Sequence, residues 1–181
     1  MTHYDEDHAG GITNLLTRIS ADRVYLPNHE EGEAVGNEIR EMVNDAAVLV
    51  EQDFQLSFGT SKMQIFAPEM VEMGNESSIC VLFSGKNCDI LITGDRGTLG
   101  EALLMQRVDL PKLDLLIAGH HGSGGSTGDK LLAETEPEYV FISVGEGNRY
   151  GHPADELLNR LAMYGCLVYR TDLNGTIVFR G

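Results

Sequence analysis

Within the first eight residues, His3, Asp5, Asp7 and His8 place four metal-ligating side chains at alternate and then adjacent positions. Imidazole nitrogens and carboxylate oxygens are the usual donors to zinc, manganese or iron. If the run turns as a tight loop at the end of a strand, His3 and Asp5 face one ion while Asp7 and His8 face its neighbour. Gly10 and Gly11 then let the backbone turn closely around the ions before a helix begins. For this run alone, the plainer alternative is a solvated acidic turn with two incidental histidines.

Three later apolar runs end in residues of the same kind. The first, Leu-Ile-Thr-Gly-Asp from Leu91 to Asp95, puts a carboxylate at the end of a buried strand, where a charge needs a partner. Asp95 is therefore a candidate bridging ligand between two metals, or else the cap of the next helix. The second, 113–118, runs into Gly-His-His-Gly-Ser, whose glycines leave room for a histidine to approach an ion or a phosphoryl oxygen. His120 is favoured as the ligand because it directly continues the strand, with His121 as a supporting residue or substrate contact. Ser123 and Ser126 present hydroxyls to a phosphate or cap a helix predicted over 128–133. The third, Tyr139 to Ser143, opens a Gly-rich loop ending in His152 and Pro153. His152 binds at the outer edge of an ion pair or gives a proton to a leaving group, while Asn148, Arg149 and Tyr150 hold an anionic substrate. The competing reading makes that loop the cap of a helix over 153–163, with Pro153 in its first turn. Of six histidines, five fall in these runs, and the exception, His29, reads as an exposed loop residue.

Positioning these residues requires a sheet with several strand ends at one edge. Apolar spacing at Ile12, Leu15, Leu16 and Ile19 predicts a helix over 11–21. A strand over 23–26 and a helix over 31–44 follow, with Glu30, Glu31, Glu33, Glu38, Glu41 and Asp45 on the wet face of that helix. Strands are expected over 46–51, 54–58 and 63–66, then a loop from Pro68 to Asn75 and a hairpin pairing 78–83 with 88–93. No repeat or linker divides the chain, so a single unit over 1–181 is expected.

The chain has 181 residues, 42% hydrophobic, and a formal net charge of −15, which argues against tight, extended binding of duplex DNA. Two bound divalent ions offset about four charges at the site and hold a phosphate without a basic surface. No apolar run is long enough to span a bilayer and no signal segment opens the chain, so no membrane contact is expected from the chain itself. Cys80, Cys88 and Cys166 lack paired spacing and read as small hydrophobes.

The opening run resembles the His-x-His-x-Asp-His signature of the metallo-β-lactamase superfamily, with Asp5 where the second histidine usually stands. From Thr2 to Gly11 it is similar to the variant found in ComEC-type DNA-uptake proteins and their stand-alone relatives. Similar too are the Asn75 to Ser78 stretch, the Gly-Asp at Asp95, the Gly-His-His-Gly-Ser turn, and the motif from Ser143 to Pro153, the longest of the matches. Residues 169–177 look like that domain's final hairpin. The resemblance implies an α/β fold, a four-layer αββα sandwich, here expected to be incomplete because the strands that precede the ligand run in that fold are missing.

It further implies a binuclear metal-dependent hydrolase acting on phosphodiesters, single-stranded DNA in particular, alongside a membrane-embedded channel if the chain is part of a longer protein. His3, Asp5, Asp7, His8, Asp95 and His120 would be the ligands and zinc or manganese the metals. Two ions would activate a water that Asp7 and Asp95 orient, and His121 or His152 would assist the departing alkoxide. No histidine occurs between residues 30 and 119, so one metal position is expected to be oxygen-rich, filled by Asp5, Asp95 and water with Asn75 nearby, which tilts it toward manganese or a labile zinc. The alternatives are an esterase for small molecules, or an inactive metal- or anion-binding remnant.

Overall fold

The computed structural model describes residues 1–28, 33–68 and 77–180. Asn75, His29, Glu30 and Glu31 lie outside them. Its elements, in chain order, are α1 (Glu6–Ala9), α2 (Ile12–Leu16), β1 (Val24–Pro27), α3 (Glu33–Val43), a 3-10 turn (Asn44–Ala46), β2 (Ala47–Val50), β3 (Phe54–Phe58), β4 (Ser61–Phe66), β5 (Cys80–Ser84) and β6 (Asp89–Ile92). These are followed by α4 (Thr98–Arg107), β7 (Leu115–Ile117), a second 3-10 turn (Gly119–Gly122), α5 (Asp129–Thr135), β8 (Tyr139–Ile142), α6 (Asp155–Met163), β9 (Leu167–Arg170) and α7 (Thr171–Asn174).

Strands β1 and β2 form a parallel pair, and β3 to β9 form a seven-stranded sheet in sequence order. That sheet is antiparallel from β3 to β6 and parallel from β6 to β9. Alternation along β5 assigns its faces. Cys80 and Leu82 join a core with Leu104 of α4, Leu131 and Leu132 of α5, and Leu157 and Leu161 of α6. Val81, between them, packs instead with Ile65, Ile79 and Val50 toward the small sheet. The small sheet's outer face meets Ala9, Ile12, Leu16 and Ile39 of α1 to α3. Helices thus cover two sheets packed face to face, which is the mixed α/β architecture expected.

Three local expectations differ from the structure. The helix predicted over 11–21 stops at Leu16, where the Thr17 hydroxyl donates to the Asn14 carbonyl at 2.8 Å and competes with the helical ladder. Pro153 precedes α6 rather than entering its first turn, because it packs on Gly122. A side chain at Gly122, whose φ is +88°, would meet the Pro153 Cβ at 2.6 Å. In place of a final hairpin over 169–177, β9 turns directly into α7. The Asn174 side chain accepts the Arg170 N–H at 2.9 Å, and the Thr171 hydroxyl bonds Val144 N at 2.7 Å and Val144 O at 2.8 Å.

Running β6, β7 and β8 parallel brings residues 93–96, 118–122 and 143–152 to one sheet edge, the C-terminal one, where open α/β sheets collect their sites. The N-terminal run is tied to the same edge. Ile79 N–H donates to the Thr2 carbonyl at 2.8 Å, while the Met1 amine reaches the Tyr25 carbonyl of the small sheet at 3.1 Å.

Candidate metal centre

Asp95 is 3% exposed, and its carboxylate faces four imidazoles. Its oxygens lie 3.1 Å from His8 Nε2, 3.6 Å from His120 Nε2, 3.7 Å from His3 Nε2 and 3.8 Å from His121 Nε2. Helix α4 is capped at Gly97, so the capping role open to Asp95 is not the one it takes. Gly94, at φ +63°, makes the turn possible, since a side chain there would meet Ser78 Cβ at 2.7 Å.

The second half of the opening run winds into α1 rather than a loop, so His8 turns inward while Asp7 stays at the surface. Two groups of donor atoms result: His3, His8 and Asp95, and Asp7, His8 and His121. His8 stands in both. Asp5 Oδ2 lies 3.7 Å from His3 Nε2, and Asp7 Oδ2 lies 3.1 Å from His121 Nε2.

Hydrogen bonds on the far side of each ring decide which nitrogen faces the centre. His121 Nδ1 is 2.8 Å from the Ser143 carbonyl, which only accepts, so Nδ1 carries the proton and the Nε2 lone pair points inward. That lone pair confronts the Asp7 carboxylate and, at 2.9 Å, His8 Nε2. His3 likewise turns its Nε2 toward the centre. Its Nδ1 lies 3.1 Å from Thr2 Oγ1 and 3.3 Å from Ser78 Oγ, while its buried Nε2 has no hydrogen-bond partner among the described residues. Nitrogen and carboxylate donors that converge at a partly buried centre are satisfied either by shared protons, as between His8 and His121, or by a cation between them. Spacings of 2.9–3.8 Å suit ligands to a common ion, since metal–nitrogen bonds of roughly 2.1 Å put tetrahedral neighbours about 3.4 Å apart. The residues present fit divalent metal.

Burial and charge act differently on the members of this cluster. Burial resists ionisation of Asp95, but the His8 hydrogen bond and the surrounding imidazoles outweigh it and hold the carboxyl below its ordinary range. Burial, and then the charge of His8, lower the His3 pKa, which keeps this imidazole neutral and fit to ligate. For His8, burial is overcome by the bond to Asp95 and by nearby carboxylates, so its pKa rises. Burial, then His120 and His121, lower that of His152.

His120 and His121 both adopt left-handed backbone, φ +48° and +53°, so the strand direction is not carried through to either side chain. His152 lies edge-on to His120 with ring centroids 5.6 Å apart and lines, with Asp7, His121, Asn148 and Tyr150, a pocket of about 370 Å³ beside the centre. Arg149 reaches the Tyr150 hydroxyl at 2.7 Å. Ser123 Oγ accepts the Gly125 N–H at 3.3 Å, and α5 is capped at Gly128 without help from Ser126.

Several supporting residues carry no signal in the sequence. Arg96 is fully buried, and its guanidinium donates to the carbonyls of Ser78 at 2.8 Å and Ala67 at 3.0 Å. Glu101, also buried, accepts the N–H groups of Thr127 at 2.5 Å and Gly128 at 2.9 Å. Thr2, Ser78 and the Ser143 carbonyl sit inside recognisable motifs, but nothing in their types announces that they orient imidazoles.

Comparison with known proteins gives a consistent picture. The family profile described as Metallo-beta-lactamase superfamily matches residues 1–146. ComE operon protein 3 of Bacillus subtilis is 31% identical over 99% of this chain and 24% of its own length, and competence protein ComA of Neisseria gonorrhoeae is 30% identical over 99% and 24%. Both are ComEC-type competence proteins, and the chain spans about a quarter of their length. Among solved structures, the diiron β-hydroxylase CmlA of Streptomyces venezuelae superposes with a TM-score of 0.64 at 17% identity, covering 93% of this chain and 42% of that one. YhfI of Bacillus subtilis, a metallo-β-lactamase fold protein, gives 0.57 at 11% identity, covering 93% and 71%.

Proposed function

Because this chain belongs to the metallo-β-lactamase superfamily, we propose that it is a metal-dependent phosphodiesterase whose centre takes two divalent ions, zinc or manganese. One ion would be held by His3, Asp5 and Asp95, the other by Asp7, His8, Asp95 and His121. The observation that carries this reading is the convergence of the His3, His8 and His121 Nε2 atoms with the carboxylates of Asp5, Asp7 and Asp95. His121 is assigned as ligand ahead of His120, because Ser143 fixes its tautomer and aims Nε2 at Asp7.

Divalent ions at such a site supply Lewis acidity and a nucleophile from water at neutral pH. The chain's own residues do the rest. Asp95 and Asp7 flank the place of attack and orient the incoming water, Asp95 from the buried side and Asp7 from the solvent side. His152, on the pocket wall, assists the departing alkoxide, with His120 against its ring. Asn148 and Tyr150 line the pocket through which an anionic substrate enters, and Arg149 is held beside it on the Tyr150 hydroxyl. The competence proteins to which the chain is similar favour single-stranded DNA as that substrate, with a membrane-embedded channel as partner in a longer protein. Among the described residues, no helix is long and apolar enough to cross a membrane.

The test is metal content and turnover on one preparation. About two equivalents of metal by plasma mass spectrometry, with bis(p-nitrophenyl) phosphate hydrolysis abolished by chelation and restored by zinc or manganese, is the expected result. Bound metal with hydrolysis of p-nitrophenyl acetate alone would make the chain an esterase, and bound metal with no turnover a binding module.

A further inference from the structure

The loop that follows β8 holds a large aromatic ring in water at the mouth of the pocket. Tyr150 is 65% exposed, yet its loop is firmly built. Asn148 Nδ2 donates to the carbonyls of Gly145 at 3.1 Å and His152 at 2.6 Å, and Asn148 Oδ1 accepts the N–H groups of Tyr150 at 3.2 Å and His152 at 3.0 Å. One side chain thus fixes the turn from both ends. The Tyr150 ring lies nearly parallel to that of His152, at 20° with centroids 6.0 Å apart, and His152 in turn meets His120 at the metal centre. A ladder of rings therefore leads from solvent to the proposed site of cleavage. The Arg149 guanidinium, exposed to solvent, rests 4.9 Å from the Tyr150 ring centroid and donates to the Tyr150 hydroxyl at 2.7 Å.

From this geometry we propose that Tyr150 is a stacking platform for one base of a single-stranded nucleic acid, seated next to the phosphate that enters the centre. The proposal rests on the phosphodiesterase reading of the same site. An aromatic ring offers its face to any base, and Arg149 exchanges its place over the ring for a flanking phosphate. A pocket of about 370 Å³ has room for one nucleotide and not for a duplex. Charge points the same way. Duplex DNA brings one negative charge per roughly 1.7 Å, which a chain of net charge −15 does not meet, whereas a single strand held by one stacked base needs only the centre and Arg149.

Fluorescence anisotropy tests this with a labelled phosphorothioate oligothymidylate and its abasic counterpart, on the zinc-loaded chain. Tyr150→Ala is expected to weaken thymidylate binding about 5- to 100-fold, and Tyr150→Phe to keep it within about threefold. The abasic strand should bind the wild type at the weakened level and be indifferent to Tyr150→Ala. Equal thymidylate binding by wild type and Tyr150→Ala, or no preference of the wild type for bases, would overturn the platform. Because binding is read without turnover, the two ideas separate. Tyr150-dependent binding by a chain that cleaves no diester would retain the platform and remove the hydrolase, while diester cleavage without base-dependent binding would do the reverse.

Discussion

Asp95 and Asp5 both place an oxygen 3.7 Å from His3 Nε2, yet the Asp95 side chain is 4% exposed and that of Asp5 57%. The floor of the site, formed by His3, Asp95 and Ser78, is sealed among strand ends and held from behind by Arg96. The rim, formed by Asp5, Asp7 and Tyr150, stands in water. Interactions at the floor act in low dielectric, where losing a partner leaves a desolvated group exposed to its full penalty. At the rim, water replaces whatever is removed. The difference locates rigidity on one side of the centre and access on the other, as a site must have if its ligands are fixed and its substrate is long.

The sharpest way to break this comparison is at Asp95. Asp95→Asn should lower phosphodiester turnover by roughly 100- to 1,000-fold and reduce the bound metal, read by steady-state kinetics and metal analysis. A variant retaining both would place the chemistry elsewhere. Next is the support beneath it: Arg96→Met removes a buried guanidinium and its bonds to the Ser78 and Ala67 carbonyls and should destabilise the fold by about 1–3 kcal/mol in urea titration. Stability equal to wild type would show that the floor is not clamped as described. Comparing His121→Ala with His120→Ala comes third. The first should lose 10- to 100-fold more metal affinity by competition with a chelating dye, roughly the size expected for a ligand held in its tautomer by a fixed carbonyl. The reverse order would return the ligand role to His120. The smallest effect belongs to the rim: Asp5→Asn should weaken metal binding less than about tenfold, and an effect as large as that of Asp95→Asn would erase the distinction.

Legibility of the site followed the same division. The chemically distinctive residues were visible because few roles explain histidines and aspartates crowded at the ends of apolar runs. The short helix α2, the placement of Pro153 and the turn of β9 into α7 are not, because each is decided by a particular contact: the Thr17 hydroxyl on Asn14, the packing of Pro153 on Gly122, and Thr171 on Val144. Strand direction favours His120 as the ligand, and its Nε2 lies 3.6 Å from Asp95 against 3.8 Å for His121. Left-handed backbone at both histidines interrupts that direction.

What the sequence by itself determined is a set of candidate donors, one group in the opening run and the rest each at the end of an apolar strand, since periodicity and residue chemistry are local properties. Only the tertiary structure decided which nitrogen of each imidazole faces inward, that His8 belongs to both groups of donors, and that a buried arginine underlies Asp95. Those outcomes depend on hydrogen bonds across many residues, from Ser143 to His121 and from Arg96 to Ala67, and such contacts exist only once the sheet has brought its strand ends together.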